Sequence, residues 1–219
     1  MYKFFLYTIL IICYLGLAKA LSPTEHGIQY LQNEKGFSKL SSKNQTTFIL
    51  IDVHATGFLI QTYYQKYRIV SDYGDVEELV VRTSKEFAKK HLNHVGLSLY
   101  RKNDLNEEII PLPPGSLFIG NPAYGFWRTL KDGRVVWRFY KSFKNFPQYL
   151  GWGNFRPDNE FYQRMRSAIN LNQAFFGPNN EFGPKGSVTK QGFPHFFRED
   201  RKQKVELKSL LMNYLKENF

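Results

Sequence analysis

The stretch Phe126-Trp127-Arg128-Thr129-Leu130-Lys131-Asp132-Gly133-Arg134-Val135-Val136-Trp137-Arg138-Phe139-Tyr140 sets two β-prone aromatic runs on either side of an Asp-Gly pair. Asp-Gly between such runs is a strong local signal for a β-hairpin. With Asp132 and Gly133 as the two turn residues, Lys131 faces Arg134, Arg128 faces Trp137 and Trp127 faces Arg138. Each face then carries one tryptophan beside one arginine, a contact worth about 0.5–1 kcal/mol when exposed. One face of a two-stranded ribbon must pack on something. Leu130, Val135, Phe126 and Phe139 share a side with Trp137, which marks the core side. Trp127, Thr129, Arg138 and Tyr140 form the outward one.

Working outward, the hairpin lies in a segment of unusual composition. Of the 39 residues from Phe118 to Arg156, twelve are aromatic, seven are basic and only Asp132 is acidic, a local charge of +6. The same segment ends in Asn145-Phe146-Pro147-Gln148-Tyr149-Leu150-Gly151-Trp152-Gly153-Asn154-Phe155-Arg156-Pro157, rings alternating with turn-permitting residues. Gly151 and Gly153 either bring backbone close to a ligand beside Trp152 or let the chain turn under a buried indole. Rings that stack on sugars or bases, interleaved with Arg and Lys that meet carboxylate or phosphate, suit an anionic polymer. The candidate binding residues are Trp127, Arg128, Arg138, Tyr140, Trp152 and Arg156.

Upstream, Pro111-Leu112-Pro113-Pro114-Gly115 can continue neither helix nor strand and reads as a rigid connector. Before it, Thr47 to Val53 is too apolar and β-branched for a surface helix, and pairs with Phe58 to Tyr64 as a second hairpin. Tyr67 to Ser71, Val76 to Arg82 and Leu97 to Arg101 add strands. Ser84 to Asn93 reads as a capped helix. Ser22, Pro23 and Glu25 make a capping box for a helix from Pro23 to Lys35. Downstream, Asp158 caps a helix carrying Phe161, Met165, Ala168 and Ile169 on one face. Gly177 to Gly192 reads as a long loop, and Leu207, Leu210, Leu211, Tyr214 and Leu215 form the face of a last helix. The expectation is an α+β fold: a predominantly antiparallel sheet of hairpins, with helices at both termini and after residue 158. Residues 21–219 are expected to share one domain, with the Pro-rich connector at 111–115.

The first twenty residues carry an address. Lys3 precedes an apolar run from Phe4 to Leu17, and Ala18-Lys19-Ala20 offers small residues where a signal peptidase cuts. A secretory signal peptide cleaved after Ala20 is the expectation. The run stops short of the roughly 20 apolar residues a membrane span needs, so no anchor is expected after cleavage. Cys13 is the only cysteine, which leaves the mature chain without disulfides or thiolate chemistry. A cysteine-free exported chain fits a secreted or periplasmic protein of a bacterial envelope.

Lys and Arg number 30 against 19 Asp and Glu among 219 residues, a net charge of +11 that excludes an acidic binding protein. No nucleotide-binding glycine loop, paired CxxC, HExxH or nucleophile elbow occurs, and nothing calls for a cofactor. His91 and His94 lie three apart but lack a nameable third metal ligand, and read as cations at a helix end. Asp52 and His54 alternate on one strand face. Asp52 in so apolar a run is an edge residue, an ion-pair partner or a general acid. With Glu160, and His54 or His195 beside them, it defines a second function class, an exported wall or polysaccharide hydrolase using paired carboxylates. The first class is a non-enzymatic envelope protein binding an anionic polysaccharide or wall polymer through the basic aromatic region. Export argues against nucleic acid as partner.

Overall fold

The computed structural model describes residues 2–21, 28–56 and 61–194. His195 and the expected last helix lie outside the described residues. The fold is mixed α+β, with helices at the N terminus and later in the chain. Helix α1 (Tyr2–Leu21) covers the apolar run near the start of the sequence. Among the described residues, no helix is long and apolar enough to cross a membrane.

A curled, mostly antiparallel sheet forms the centre. Its strands are β1 (Tyr30–Leu31), β2 (Thr46–Thr56), β3 (Thr62–Ser71), β4 (Val76–Thr83), β5 (Ser98–Lys102) and β6 (Glu107–Glu108), in the order β1-β4-β3-β2-β5-β6. Only β1 and β4 run parallel. The run Phe48 to Ile51 is apolar throughout because both faces of β2 are covered. Phe48 and Leu50 enter one core with Leu31, Phe37, Tyr67, Phe87 and Tyr100. Ile49 and Ile51 enter a second with Val70, Leu97 and the aromatic residues beyond the connector. Alternate side chains of one strand thus hold two cores apart.

Two expectations for this half change. Tyr67 to Ser71 is not a separate strand but the end of β3, which pairs with β2 along its whole length. The start of the helix expected from Pro23 to Lys35 lies outside the described residues, and its second half is not helical in that way, because Tyr30–Leu31 joins the sheet and a 3-10 turn follows at Glu34–Lys39. The tertiary gain is plain: Leu31 and Phe37 become fully buried. Ser84 does cap helix α2 (Lys85–His91), its hydroxyl accepting from the Phe87 N–H at 3.1 Å.

The connector leaves the sheet through Leu112, which bridges to Ser98. Buried Arg101 fixes this exit, donating to the Ser98 and Ile110 carbonyls and pairing with Glu108. Beyond it come β7 (Gly125–Thr129), β8 (Val135–Phe139), α3 (Phe146–Tyr149), α4 (Asn159–Asn170) and α5 (Ser187–Gly192). Asp158 caps α4 as expected, accepting from the Phe161 N–H at 2.8 Å, and Phe161 and Met165 face the core. The segment read as a long loop from Gly177 instead ends in α5, with Phe182, Val188 and Phe193 packed into the second core.

Candidate functional site

The hairpin forms in a different register from the one the Asp-Gly pair predicts. Trp127 pairs with Trp137, Phe126 with Arg138 and Arg128 with Val136. The cause is the turn. A two-residue type I′ turn needs positive φ at both central residues, but only Gly133 has it, at +85°. The Gly133 N–H donates to Leu130 O and the Leu130 N–H to Arg134 O, closing a three-residue loop, Lys131-Asp132-Gly133. Asp132 supports it by accepting from the Arg134 N–H and guanidinium. One extra loop residue turns every side chain of β7 to the other face.

The two tryptophans therefore share the inward side. Trp137 is buried and meets Trp127 edge-on at 5.2 Å, and Trp127 also touches Tyr162. Trp127 is thus corrected from the outward surface to the flank of the core, and the expected tryptophan–arginine pairs do not form. The outward face carries Phe126, Arg128, Arg138 and Tyr140. Phe126 and Tyr140 are 45% and 42% exposed, their rings 5.6 Å apart. Trp152 is fully buried, its indole N–H donating to Pro114 O at 2.8 Å. Gly151 and Gly153, at φ +71° and +55°, turn the chain under this indole, the second of their two expected roles.

The charge of this region stays unneutralised. Of the seven cations between Phe118 and Arg156, only Arg134 is ion-paired among the described residues, to Asp132. Arg128, Lys131, Lys141 and Lys144 are exposed, while Arg138 and Arg156 are half-buried. Arg156 donates to Gly153 O at 2.8 Å and Phe155 O at 2.6 Å. Burial, and then the like charge of Arg138, lowers its pKa.

Two cavities open beside Arg156. One, of about 300 Å³, is lined by Lys144, Asn145, Gln148, Arg156 and Gln191 over a glycine floor at Gly151, Gly153 and Gly192. It has two cations, three amides and no carboxylate. The floor depends on bare backbone: a side chain at Gly192 would strike Gly151 O. Such amides can bond hydroxyls, and such cations can meet acid groups. The amides escaped sequence analysis because Gln191 and Gln148 come from separate segments, with no spacing to join them. The other cavity, of about 270 Å³, holds Arg156, Asp158, Glu160, Arg164 and Glu181, and its charges offset one another.

Of the catalytic candidates among the described residues, Asp52 and His54 meet each other, but Glu160 does not join them. Asp52 stands across from Lys66 just past a β-bulge, and the His54 imidazole bonds its carboxylate at 2.8 Å. The His54 ring stacks on Tyr64 at 5.5 Å. Glu160 lies on the first turn of α4, paired with Arg164 at 2.7 Å, and neither Asp52 nor His54 lines its cavity.

His91 and His94 also depart from expectation. His91 is buried with its Nδ1 at 3.3 Å from that of His94 and its Nε2 at 3.2 Å from Glu34. Burial, then the neighbouring His94, pushes the His91 pKa down to about 4, so it is neutral rather than cationic near neutrality. No third ligand joins the pair among the described residues.

No family model, curated protein sequence or solved structure matches the chain.

Proposed function

We propose that this is an exported, non-enzymatic protein of a bacterial envelope that binds an anionic glycan or wall polymer. The binding surface is the outward face of the β7–β8 ribbon together with the amide-lined cavity beside Arg156. The observation that carries the proposal is the set of six cations in one segment with no carboxylate partner among the described residues. A solvated face that served only solubility would mix both signs. Phe126 and Tyr140 add exposed rings for a sugar face, and Asn145, Gln148 and Gln191 add partners for hydroxyls. The export half of the proposal rests on the Lys3, apolar run and Ala18-Lys19-Ala20 pattern, and intact-mass analysis of protein from its host tests it. A chain still beginning at Met1 refutes cleavage after Ala20.

Binding is tested by pulldown on cell-wall sacculi and on soluble polyanions across a salt series. Affinity is expected to fall with salt, with no release of reducing ends. Arg138→Ala with Tyr140→Ala removes one cation and one ring, each worth about 0.5–1 kcal/mol at an exposed contact, so affinity should drop about five- to thirty-fold. An unchanged affinity in a folded double variant removes this surface. The hydrolase alternative is favoured only by the Asp52–His54 bond, which is how a carboxylate orients a general base. Release of reducing ends, lost in Asp52→Asn, would establish it in place of the binder.

A further inference from the structure

The backbone brings two of the unpaired cations close together. Val136 and Asp158 form an antiparallel bridge, and the Trp137 N–H donates to Pro157 O at 2.8 Å, so the chain entering α4 runs alongside β8. The bridge is isolated, but Arg138 and Arg156 follow it closely on the two segments, near enough that the charge of Arg138 acts on Arg156. The carboxylates that line the second cavity beside Arg156 make no ion pair with either guanidinium. Asp158 is engaged in capping α4, Glu160 holds Arg164, and Glu181 bonds Asn179. The Nε of Arg138 is cut off from water with no acceptor among the described residues. Arg156 is fixed by its two carbonyl bonds, which use Nη1 and leave Nε and Nη2 to other acceptors.

We propose that Arg138 and Arg156 form a two-guanidinium clip for one tetrahedral oxyanion, a sulfate or phosphate ester carried by the polymer. The proposal rests on the polyanion-binding function above and narrows its ligand. Two planar forks present more N–H groups than the two oxygens of a carboxylate accept, whereas a sulfate or phosphate monoester offers three. An arginine pair held in place by the fold, with one member anchored on carbonyls, has less ordering left to lose on binding. A bound oxyanion also supplies the counter-charge that the fold withholds. The neighbouring amide-lined cavity shares Arg156, so an ester held in the clip sets its sugar beside Asn145, Gln148 and Gln191.

The test compares dextran sulfate with polygalacturonate of matched length and charge density, with oligo-dT as a third arm. Wild type should prefer the sulfated polymer. Arg138→Lys and Arg156→Lys keep the charge but lose the fork, so each should weaken dextran sulfate about tenfold while leaving polygalacturonate and the salt dependence nearly unchanged. Competition by inorganic sulfate and inorganic phosphate, against chloride at equal ionic strength, assigns the ester by whichever displaces the polymer first. Lysine variants that bind dextran sulfate like wild type overturn the clip, and so does displacement by neither ion. In both cases binding of the polymers themselves leaves the wider function standing. Wild type that binds neither polymer removes both proposals, and tighter binding of oligo-dT than of either glycan makes nucleic acid the ligand and overturns the clip as an ester site of a glycan. Should Arg138→Lys fail to fold, Arg156→Lys alone decides the matter, because its anchoring carbonyls lie at the surface loop Gly153–Phe155.

Discussion

Acidification should unfold this protein through His91, by an amount that follows from its surroundings. Its side chain is 3% exposed, with the Phe87 ring edge-on at 4.6 Å, His94 at one ring nitrogen and Glu34 at the other. Protonation would bury a charge beside a second imidazole, and the Glu34 carboxylate, already bonded to Lys90, compensates only in part. The folded pKa is about 4 against an ordinary 6.5. Between those values the unfolded chain binds more protons than the native one, so stability rises with pH across the window and is lost as pH falls through it. At roughly 1.4 kcal/mol per pH unit the full displacement is worth about 3 kcal/mol. Burial also lowers the His94 pKa; for Glu34 burial pulls upward, but the Lys90 bond, a backbone bond and the charges of Lys90 and His91 together lower it, so both add in the same direction. Urea unfolding at several pH values, on wild type and on His91→Gln, isolates the histidine. Wild type should lose about 3 kcal/mol more than the variant between near-neutral pH and about pH 4. Equal losses in the two proteins would refute the reasoning, whatever the variant's absolute stability.

Arg101→Ala should cost about 2–4 kcal/mol in chemical unfolding, because it takes the donor from the Ile110 carbonyl and empties the space of a fully buried side chain. A loss below 1 kcal/mol would mean that the connector does not depend on this anchor. Gly133→Ala meets no atom within 4 Å but must adopt φ near +85°, so the expected loss is about 1–2 kcal/mol, with Gly133→Asn milder. A neutral Gly133→Ala would mean that position 133 does not hold positive φ, and would refute this turn.

The sheet was legible in the sequence wherever local chemistry and tertiary demand agreed. The apolar run of β2 and the Ser84 and Asp158 caps each read correctly because each is decided within a few residues. The hairpin existed where Asp-Gly put it, yet its register turned on whether one or two residues take positive φ, which the pair Asp132-Gly133 leaves open. That single residue moved Trp127 inward and Phe126 outward. The end of the N-terminal helix was overruled by β4, a partner some fifty residues away, whose pull no local pattern carries. The candidate site was half visible. The excess of cations in Phe118 to Arg156 is a matter of composition, whereas the approach of Arg138 to Arg156 and the meeting of Gln148 with Gln191 exist only once distant segments pack.

The two-sided burial of β2 also bears on how the chain is made. While synthesis has not yet passed Leu112, the side of the sheet formed by Ile49, Ile51, Val70 and Leu97 has nothing to cover it, since Phe118, Trp137, Phe146 and Trp152 are still to come. A nascent chain paused there displays a bare greasy surface beside a finished one, and is the species most prone to stick to its neighbours or to be held by a chaperone.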